Sequence, residues 1–243
     1  MSYQSTVLSS NPVCYWRLGD SGATAVDELG ATSGTYTGTY SHVPGALVQP
    51  NDALSLTAVA GSFVTMGDTT ILDRSASLTI ECIVKPASAA TAYAFVAKQE
   101  AAGQSFSLQQ AAAGGTLMSA AAAGAIVLQT AAALPTNAFT HIAAVYDSAD
   151  GTAGRIYYNG SAQALSTQTT NGTIPNSAAN LKIGAQDWAT FERYYDGVID
   201  EVALYATALS ASTVSAHYNA MFDTGSAIGS FRSDRIRSRR TSW

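Results

Sequence analysis

Charge is what this chain lacks most. Only 12% of its 243 residues are Asp, Glu, Lys or Arg, about half the usual share. The surface must therefore be built largely from Ser, Thr, Asn, Gln and Ala, which suits a packed assembly. The charges present are unevenly placed. Residues 1–222 carry seven Lys/Arg against fifteen Asp/Glu, a net −8, whereas residues 223–243 carry five Arg against two Asp. An acidic body counts against nucleic-acid binding by that body. Cysteine is nearly missing, and the two present, Cys14 and Cys82, match no zinc or redox spacing. Cys82 alternates with Leu78, Ile80 and Val84, and Cys14 with Trp16 and Leu18, so both read as small buried hydrophobes. A disulfide between them stays open at this level. The three histidines, His42, His141 and His217, have no acid at useful sequence spacing, so no Ser/His/Asp set is suggested. No apolar run reaches the ~20 residues of a membrane span, and the longest tract, 120–133, is broken by Gly124, Gln129 and Thr130. Residues 1–13 show neither the basic start nor the apolar stretch of a signal peptide. The expectation is a soluble product of the cytoplasm with no membrane contact.

What the chain has in quantity is short β-forming runs between turn signals. The segments 14–18, 53–56, 63–66, 78–85, 93–98, 106–109, 141–146, 155–158 and 181–183 are rich in apolar and β-branched residues and are bounded by Gly, Pro, Asn or Asp. Asn159-Gly160 is a hairpin turn signal, with Ser161–Leu165 as the returning strand. The Ala-rich region 110–133 sets helix propensity against glycines at 114, 115 and 124 that cut it into pieces of about eight residues; it reads as strands with Ala at packing positions. Only near the end does the period change. Ser210 is a good N-cap, Leu209 and Val214 have the spacing of a hydrophobic staple, and Val214, Tyr218 and Met221 form one stripe of a helix ending near Phe222. Many short strands and one terminal helix predict an all-β, two-sheet antiparallel sandwich over residues 1–222. Residues 223–243 form a basic tail outside it, disordered or extended. Its first and last strands lie far apart in sequence, as in a jelly roll closed by pairing its ends.

The stretch 194–205, Tyr-Tyr-Asp-Gly-Val-Ile-Asp-Glu-Val-Ala-Leu-Tyr, carries two adjacent carboxylates inside a strand. Strict alternation places Asp200 with Val198, Val202 and Leu204, and Glu201 with Ile199, Ala203 and Tyr205. One acid must then face the core, where a carboxylate needs hydrogen bonds, a partner charge or a metal. The two would point to opposite faces and could not serve one cleft as a glycosidase pair, whose carboxyl groups stand about 5–9 Å apart. Aromatic and polar residues also gather just upstream. Trp188, Tyr194 and Tyr195, with Asp187 beside them, are the kind of surface a saccharide stacks and hydrogen-bonds on; they equally suit a cap on the sandwich. In the tail, Arg232, Arg235, Arg237, Arg239 and Arg240 alternate with Phe231 and lead to Trp243. This composition suits a segment that orders on an acidic partner surface.

In order, the pieces Tyr15 to Asp20, Asp27 to Gly30, Pro44 to Leu47, Leu78 to Pro86, His141 to Asp147, Ile156 to Gly160, Leu181 to Gly184 and Asp196 to Val202 with the helix after Leu209 resemble the laminin-G-like, concanavalin A-like jelly-roll domains. The resemblance covers roughly residues 13–222. It implies a structural calcium ion held by a carboxylate of the Ile199-Asp200-Glu201 strand with early-loop oxygens. The matching positions are Asp200 and Asp27, with Asp20 further out. The competing reading is that Asp200 accepts backbone N–H bonds and fastens the early loop directly; no cofactor is required in that case. Domains opening on Tyr-Trp-Arg-Leu-Gly are similar to those on bacteriophage tail and capsid proteins. That likeness implies a non-enzymatic virion structural protein, a minor tail component or capsid decoration, made in the host cytoplasm. Its partners would be other virion proteins and copies of itself, reached through the tail. The alternative is an adhesin that recognises host surface glycans through Asp187, Trp188, Tyr194 and Tyr195.

Overall fold

The alternating runs become nineteen strands, with two helices, among the described residues. The computed structural model describes residues 1–49, 51–58, 61–73, 76–89, 91–100, 103–112, 114–120, 126–149, 154–170, 172–188 and 191–224, without the side chains of 187, 188, 191 and 192. The Arg-rich tail and its expected anchor residues lie outside them. A first helix, α1 (Tyr3–Ser9), precedes β1 (Cys14–Trp16), β2 (Thr24–Ala25), β3 (Gly34–Thr37), β4 (Tyr40–Pro44), β5 (Asp52–Leu56) and β6 (Phe63–Met66). The long strands follow: β7 (Ser77–Pro86), β8 (Tyr93–Glu100), β9 (Gly103–Gln110), β10 (Gly115–Ala120), β11 (Ile126–Ala133) and β12 (Thr140–Asp147). Then come β13 (Gly154–Tyr158), β14 (Ser161–Ala162), β15 (Leu165–Thr170), β16 (Leu181–Ile183), β17 (Ala185–Trp188), β18 (Phe191–Tyr194), β19 (Gly197–Tyr205) and the second helix, α2 (Ala211–Ala220).

Two antiparallel sheets pack face to face. One has the order β14-β13-β12-β7-β19-β5-β4, with β1 also on β19; the other runs β15-β11-β10-β9-β8-β16-β6-β3-β2. The ends of the chain do pair, Cys14 with Leu204 and Trp16 with Val202. The main core lies between the sheets, where Trp16, Leu54, Ile80, Cys82, Phe95, Phe106, Leu128 and Ile142 have no exposed surface. Cys14 and Cys82 are both buried and form no disulfide, and burial raises the Cys82 thiol. The Ala-rich region is sheet, as β10 and β11, because the core face of these strands needs small and branched side chains more than it needs helix propensity.

A second apolar layer lies outside the first sheet. There α1 and α2 cover Tyr15, Ile83, Ala143, Ala203 and Tyr205 with Tyr3, Val7, Val214 and Met221. The sequence predicted one helix; α1 was not expected. It is seven residues long and buries only Tyr3 and Val7, one i,i+4 pair, with Ser2 capping the N–H of Ser5. In α2, Ser210 caps Thr213 as expected, but the stripe facing the sheet is Val214, His217 and Met221, with Tyr218 only half-buried. The expected long loop before β19 is instead the hairpin β17–β18, a two-stranded sheet of its own that pairs Gln186 with Arg193. Gly184, at φ +84°, turns the chain out of the second sheet; a Cβ there would lie 2.2 Å from Leu56 Cδ1.

Candidate functional site

Three polar centres interrupt this apolar frame. The first is the acidic pair of β19. Opposite β7, Asp200 pairs with Ile83 but Ala203 with Glu81, so three steps on β19 match two on β7. This is a bulge, and Glu201 takes φ +52° within it. Alternation therefore fails here. Ile199, Val202 and Leu204 all enter the main core, and the two carboxylates, instead of facing opposite ways, meet on one amide. Asn51 Nδ2 donates to Asp200 Oδ1 at 3.0 Å and to Glu201 Oε1 at 2.9 Å. Arg17 Nε and Nη2 donate to Glu201 Oε1 at 3.1 and 3.0 Å, and the Tyr15 hydroxyl donates to Glu201 Oε2. Glu201 thus ties the first strand to the last, while Asp200 is held by Asn51 and by the backbone N–H of Ala46 in the early segment after β4. Burial raises both carboxyl groups; the Glu201 charge adds to the effect on Asp200, and Arg17 offsets part of it on Glu201. Neither carboxylate has exposed surface, so enclosure, rather than the opposite facing expected from alternation, keeps this pair from a substrate.

Asp27 sits in a different place. It pairs with Trp16 on the side of β1 away from β19. Both its oxygens are taken by backbone N–H groups: Tyr15 and Leu29 donate to Oδ1 at 2.9 and 3.2 Å, Ala31 and Thr32 to Oδ2 at 2.9 Å each. A whole strand separates it from Asp200, roughly 10 Å at two strand spacings. One calcium ion, with bonds of about 2.3–2.6 Å, cannot be shared by the two. Asp20 is likewise engaged, accepting from Tyr36 Oη at 2.9 Å and Val26 N at 3.2 Å. At the acidic pair itself only Asp200 Oδ2 is buried without a partner, and a guanidinium and an amide N–H already fill the space around the other oxygens. The expected calcium set of Asp200 and Asp27 does not fit these residues.

The second centre lies beneath the helices. Glu81 Oε1 meets His141 Nε2 at 2.5 Å; Glu81 Oε2 meets His217 Nδ1 at 2.9 Å and Tyr205 Oη at 2.8 Å. His217 Nε2 meets Ser10 Oγ at 2.9 Å. Burial alone would raise Glu81, but the bonds from both histidines hold it far below the usual carboxylate range. The histidines do have an acid, 60 and 136 residues away in sequence, which linear spacing could not reveal. Ser10, His217 and Glu81 stand in the order of an acyl-transfer triad. The Ser10 N–H is committed to Val7 O at 3.0 Å, however, and so offers no oxyanion donor. The arrangement acts as a clamp joining the end of α1, β7, β12 and α2.

The third centre is the outward face of the second sheet. Ser107 and Gln109 alternate with core-facing Phe106 and Leu108 on β9. On β10 and β11, Leu117, Ser119, Val127 and Gln129 are half-exposed on the same face. Ser107 Oγ and Ser119 Oγ are 2.9 Å apart. The β17–β18 hairpin lies across this face. Gln186 donates to Gln99 and Arg193 to Gln109, and burial lowers the Arg193 guanidinium. Of the predicted sugar-binding residues, Asp187 and Trp188 end β17, and Tyr194 is half-buried opposite Ala185. Tyr195 has no exposed surface. Its ring packs edge-on against Phe95 and Tyr93, and its hydroxyl donates to Val198 O at 3.0 Å. It belongs to the core and is not available for stacking on a ligand.

A fold with these sheets, a short terminal helix and a polar outer face has relatives. The family model described as the concanavalin A-like lectin/glucanases superfamily matches residues 59–215. The chain belongs to this superfamily. No curated protein sequence matches the chain. Among solved structures, domain 4 of AbnA, an extracellular arabinanase from Geobacillus stearothermophilus in complex with arabinotriose, is similar at TM-score 0.60 and 19% identity. The match covers 85% of this chain and 98% of that one. The binding domain of Paraclostridial Mosquitocidal Protein 1 is similar at TM-score 0.65 and 15% identity, covering 85% of this chain and 52% of that one. A structure of botulinum neurotoxin type C, whose cell entry depends on two ganglioside molecules, is similar at TM-score 0.66 and 12% identity, covering 91% of this chain and 53% of that one. The chain thus spans about half of the toxin chains it matches. At these identities the likeness is one of fold: a lectin-like jelly roll.

Proposed function

We propose that this superfamily member is a non-catalytic recognition module whose ligand is a glycan, bound on the outward face of the nine-stranded sheet beside the β17–β18 hairpin. The observation that carries the reading is the make-up of that face. Gln109, bonded to Arg193, lies in one row with half-exposed Leu117 and Gln129, and half-exposed Ser119 adjoins them on the same face. Amides and hydroxyls that donate and accept, with apolar side chains beside them, suit the hydroxyl groups and apolar faces of a sugar. The fold neighbours crystallised or studied with arabinotriose and gangliosides support the same ligand class. The body's acidic balance favours neutral over acidic glycans. The module stands without a calcium ion, since Arg17 and Asn51 already balance the acidic pair.

The expected place on a phage particle rests on the resemblance of the opening Tyr15-Trp16-Arg17-Leu18-Gly19, and the expected attachment on the composition of residues 223–243, five arginines with Phe231 and Trp243. In that setting the domain is an adhesin turned toward host glycans. The test is a glycan array carrying neutral and sialylated oligosaccharides. Retention of a neutral set, weakened at least tenfold by Gln129→Ala with Ser119→Ala, supports the reading. Binding of no glycan would overturn it.

A further inference from the structure

The terminal strand of a sheet is a template for another strand, and native domains blunt it with short length, charge, proline or a bulge. Among the described residues the two packed sheets end in four strands: β14 and β4 in one, β15 and β2 in the other. β14 and β2 have two residues each. β4 ends on Pro44, opposite the exposed Asp52. β15 is built differently. It has six residues, Leu-Ser-Thr-Gln-Thr-Thr, with no charge, proline or glycine. A bulge at Ser166 sets off its start, since Gln129 pairs with Thr167 but Thr130 with Leu165. From Thr167 to Thr170 the strand follows β11 in unbroken register. Three of those four residues are β-branched threonines, which favour strands.

The surroundings of this edge are neutral as well. Residues 101–146 and 156–181 contain no Asp, Glu, Lys or Arg, so β9, β10, β11 and β15 carry no formal charge on either face. The body as a whole is acidic, and two copies of it repel one another wherever their carboxylates meet. Contact between copies is least opposed where charge is missing, and interface cores are depleted in charge for the same reason. Pairing also places the edge residues. One row runs Gln109, Leu117, Gln129, Thr167, and the next Ser107, Ser119, Val127, Thr169. Thr167 and Thr169 therefore share the outward face of the sheet, where Thr167 is exposed and Thr169 half-exposed.

We propose that β15 is a self-pairing edge: a second copy of this chain adds its own β15 antiparallel to the first, joining two nine-stranded sheets into one. The occupant is a second copy because the edge is complementary to itself. Paired about Gln168, Thr167 of one copy stands opposite Thr169 of the other on the same face, and no like charges meet. The contact is isologous, with its two-fold axis perpendicular to the sheet, so it closes as a dimer. The outward faces of both copies then lie on one side of the joined sheet. This proposal does not depend on the glycan reading.

The experiment is sedimentation equilibrium of the full chain over a range of concentrations. The wild type should be a reversible dimer. Thr167→Lys with Thr169→Lys sets the cations of one copy against those of the other and should raise the dissociation constant about tenfold or more, with Tm unchanged because both side chains stand on the outward face. A wild type that stays monomeric at every concentration measured would overturn the proposal. So would a dimer that the double variant leaves intact, because copies would then meet elsewhere, through the tail or another surface. Should the variant lose Tm, hydrogen exchange on the wild type decides. Amides of 167–170 should slow as concentration rises while those of β4 do not; exchange at 167–170 that is indifferent to concentration would end the idea.

Discussion

Glu81→Gln tests the clamp beneath the helices, and its size can be worked out from the contacts. The substitution keeps the volume but replaces one acceptor oxygen by an NH2 group. Glu81 accepts from His141 Nε2, His217 Nδ1 and Tyr205 Oη, all without exposed surface. Tyr205 can turn its hydroxyl to accept from the new amide; the two histidine N–H groups cannot. Losing the charge on two hydrogen bonds costs about 1 kcal/mol each, and one donor left facing an NH2 costs about 1–3 kcal/mol. Relief of carboxylate burial offsets part of this. The expected loss is about 2–4 kcal/mol, a large share of the ~5–15 kcal/mol typical of a domain. At roughly 2–4 °C per kcal/mol for a chain of this size, Tm should fall by about 5–15 °C. The pH dependence has a definite sign. Glu81 is held below its ordinary value of 4.5, so its contribution is complete above that pH and is lost as pH falls toward the depressed folded value. Urea denaturation of wild type and variant at pH 7, 4 and 3 should therefore show the gap narrowing with acid. A gap under about 1 kcal/mol at pH 7, or one that widens with acid, would refute the reasoning.

Other outcomes follow from the remaining contacts. Asp27→Asn puts an NH2 group or a weaker acceptor against four backbone N–H groups and should cost about 2–4 kcal/mol in chemical denaturation, with no rescue by calcium. Arg17→Met leaves the enclosed Glu201 without its cation and should cost about 3–5 kcal/mol; adding Glu201→Gln should recover part of this in a double-mutant cycle. Addition of calcium or of a chelator to the wild type should leave Tm unchanged; a rise of several degrees with calcium would show that a cation displaces the Arg17 contacts. A chain ending at Thr224 should keep its Tm and glycan binding but no longer co-purify with particles; co-purification at the full-length level would end the anchor expectation.

Much of the fold was legible because it follows from local patterning. Alternation in 78–85 and 141–146, the Asn159-Gly160 turn and the Ser210 cap each act within a few residues, and the chain obeys them in β7, β12, the β13–β14 hairpin and α2. Glycines at 114 and 115 decided strand over helix in the Ala-rich region for the same local reason. The sequence also limited what the chemistry could be, since a charge-poor chain has few carboxylates to place. Where the pattern misled, the cause was a long-range partner. Glu201 departs from alternation because the edge of β19 changes hands at that point: β5 pairs with 197–199 and β1 with 202–204. The bulge between them brings both acids to Asn51. Asp27 looked like a metal ligand because sequence cannot show that four backbone N–H groups already fill its oxygens. His141 and His217 seemed to lack an acid because Glu81 reaches them only through sheet pairing and helix docking. Tyr195 was counted with its aromatic neighbours, yet the turn at Gly184 sends it inward while the hairpin before it folds over the outer face. Periodicity, capping and turn chemistry determined the elements; pairing and burial across the sandwich decided which polar groups are fastened and which remain available to a ligand.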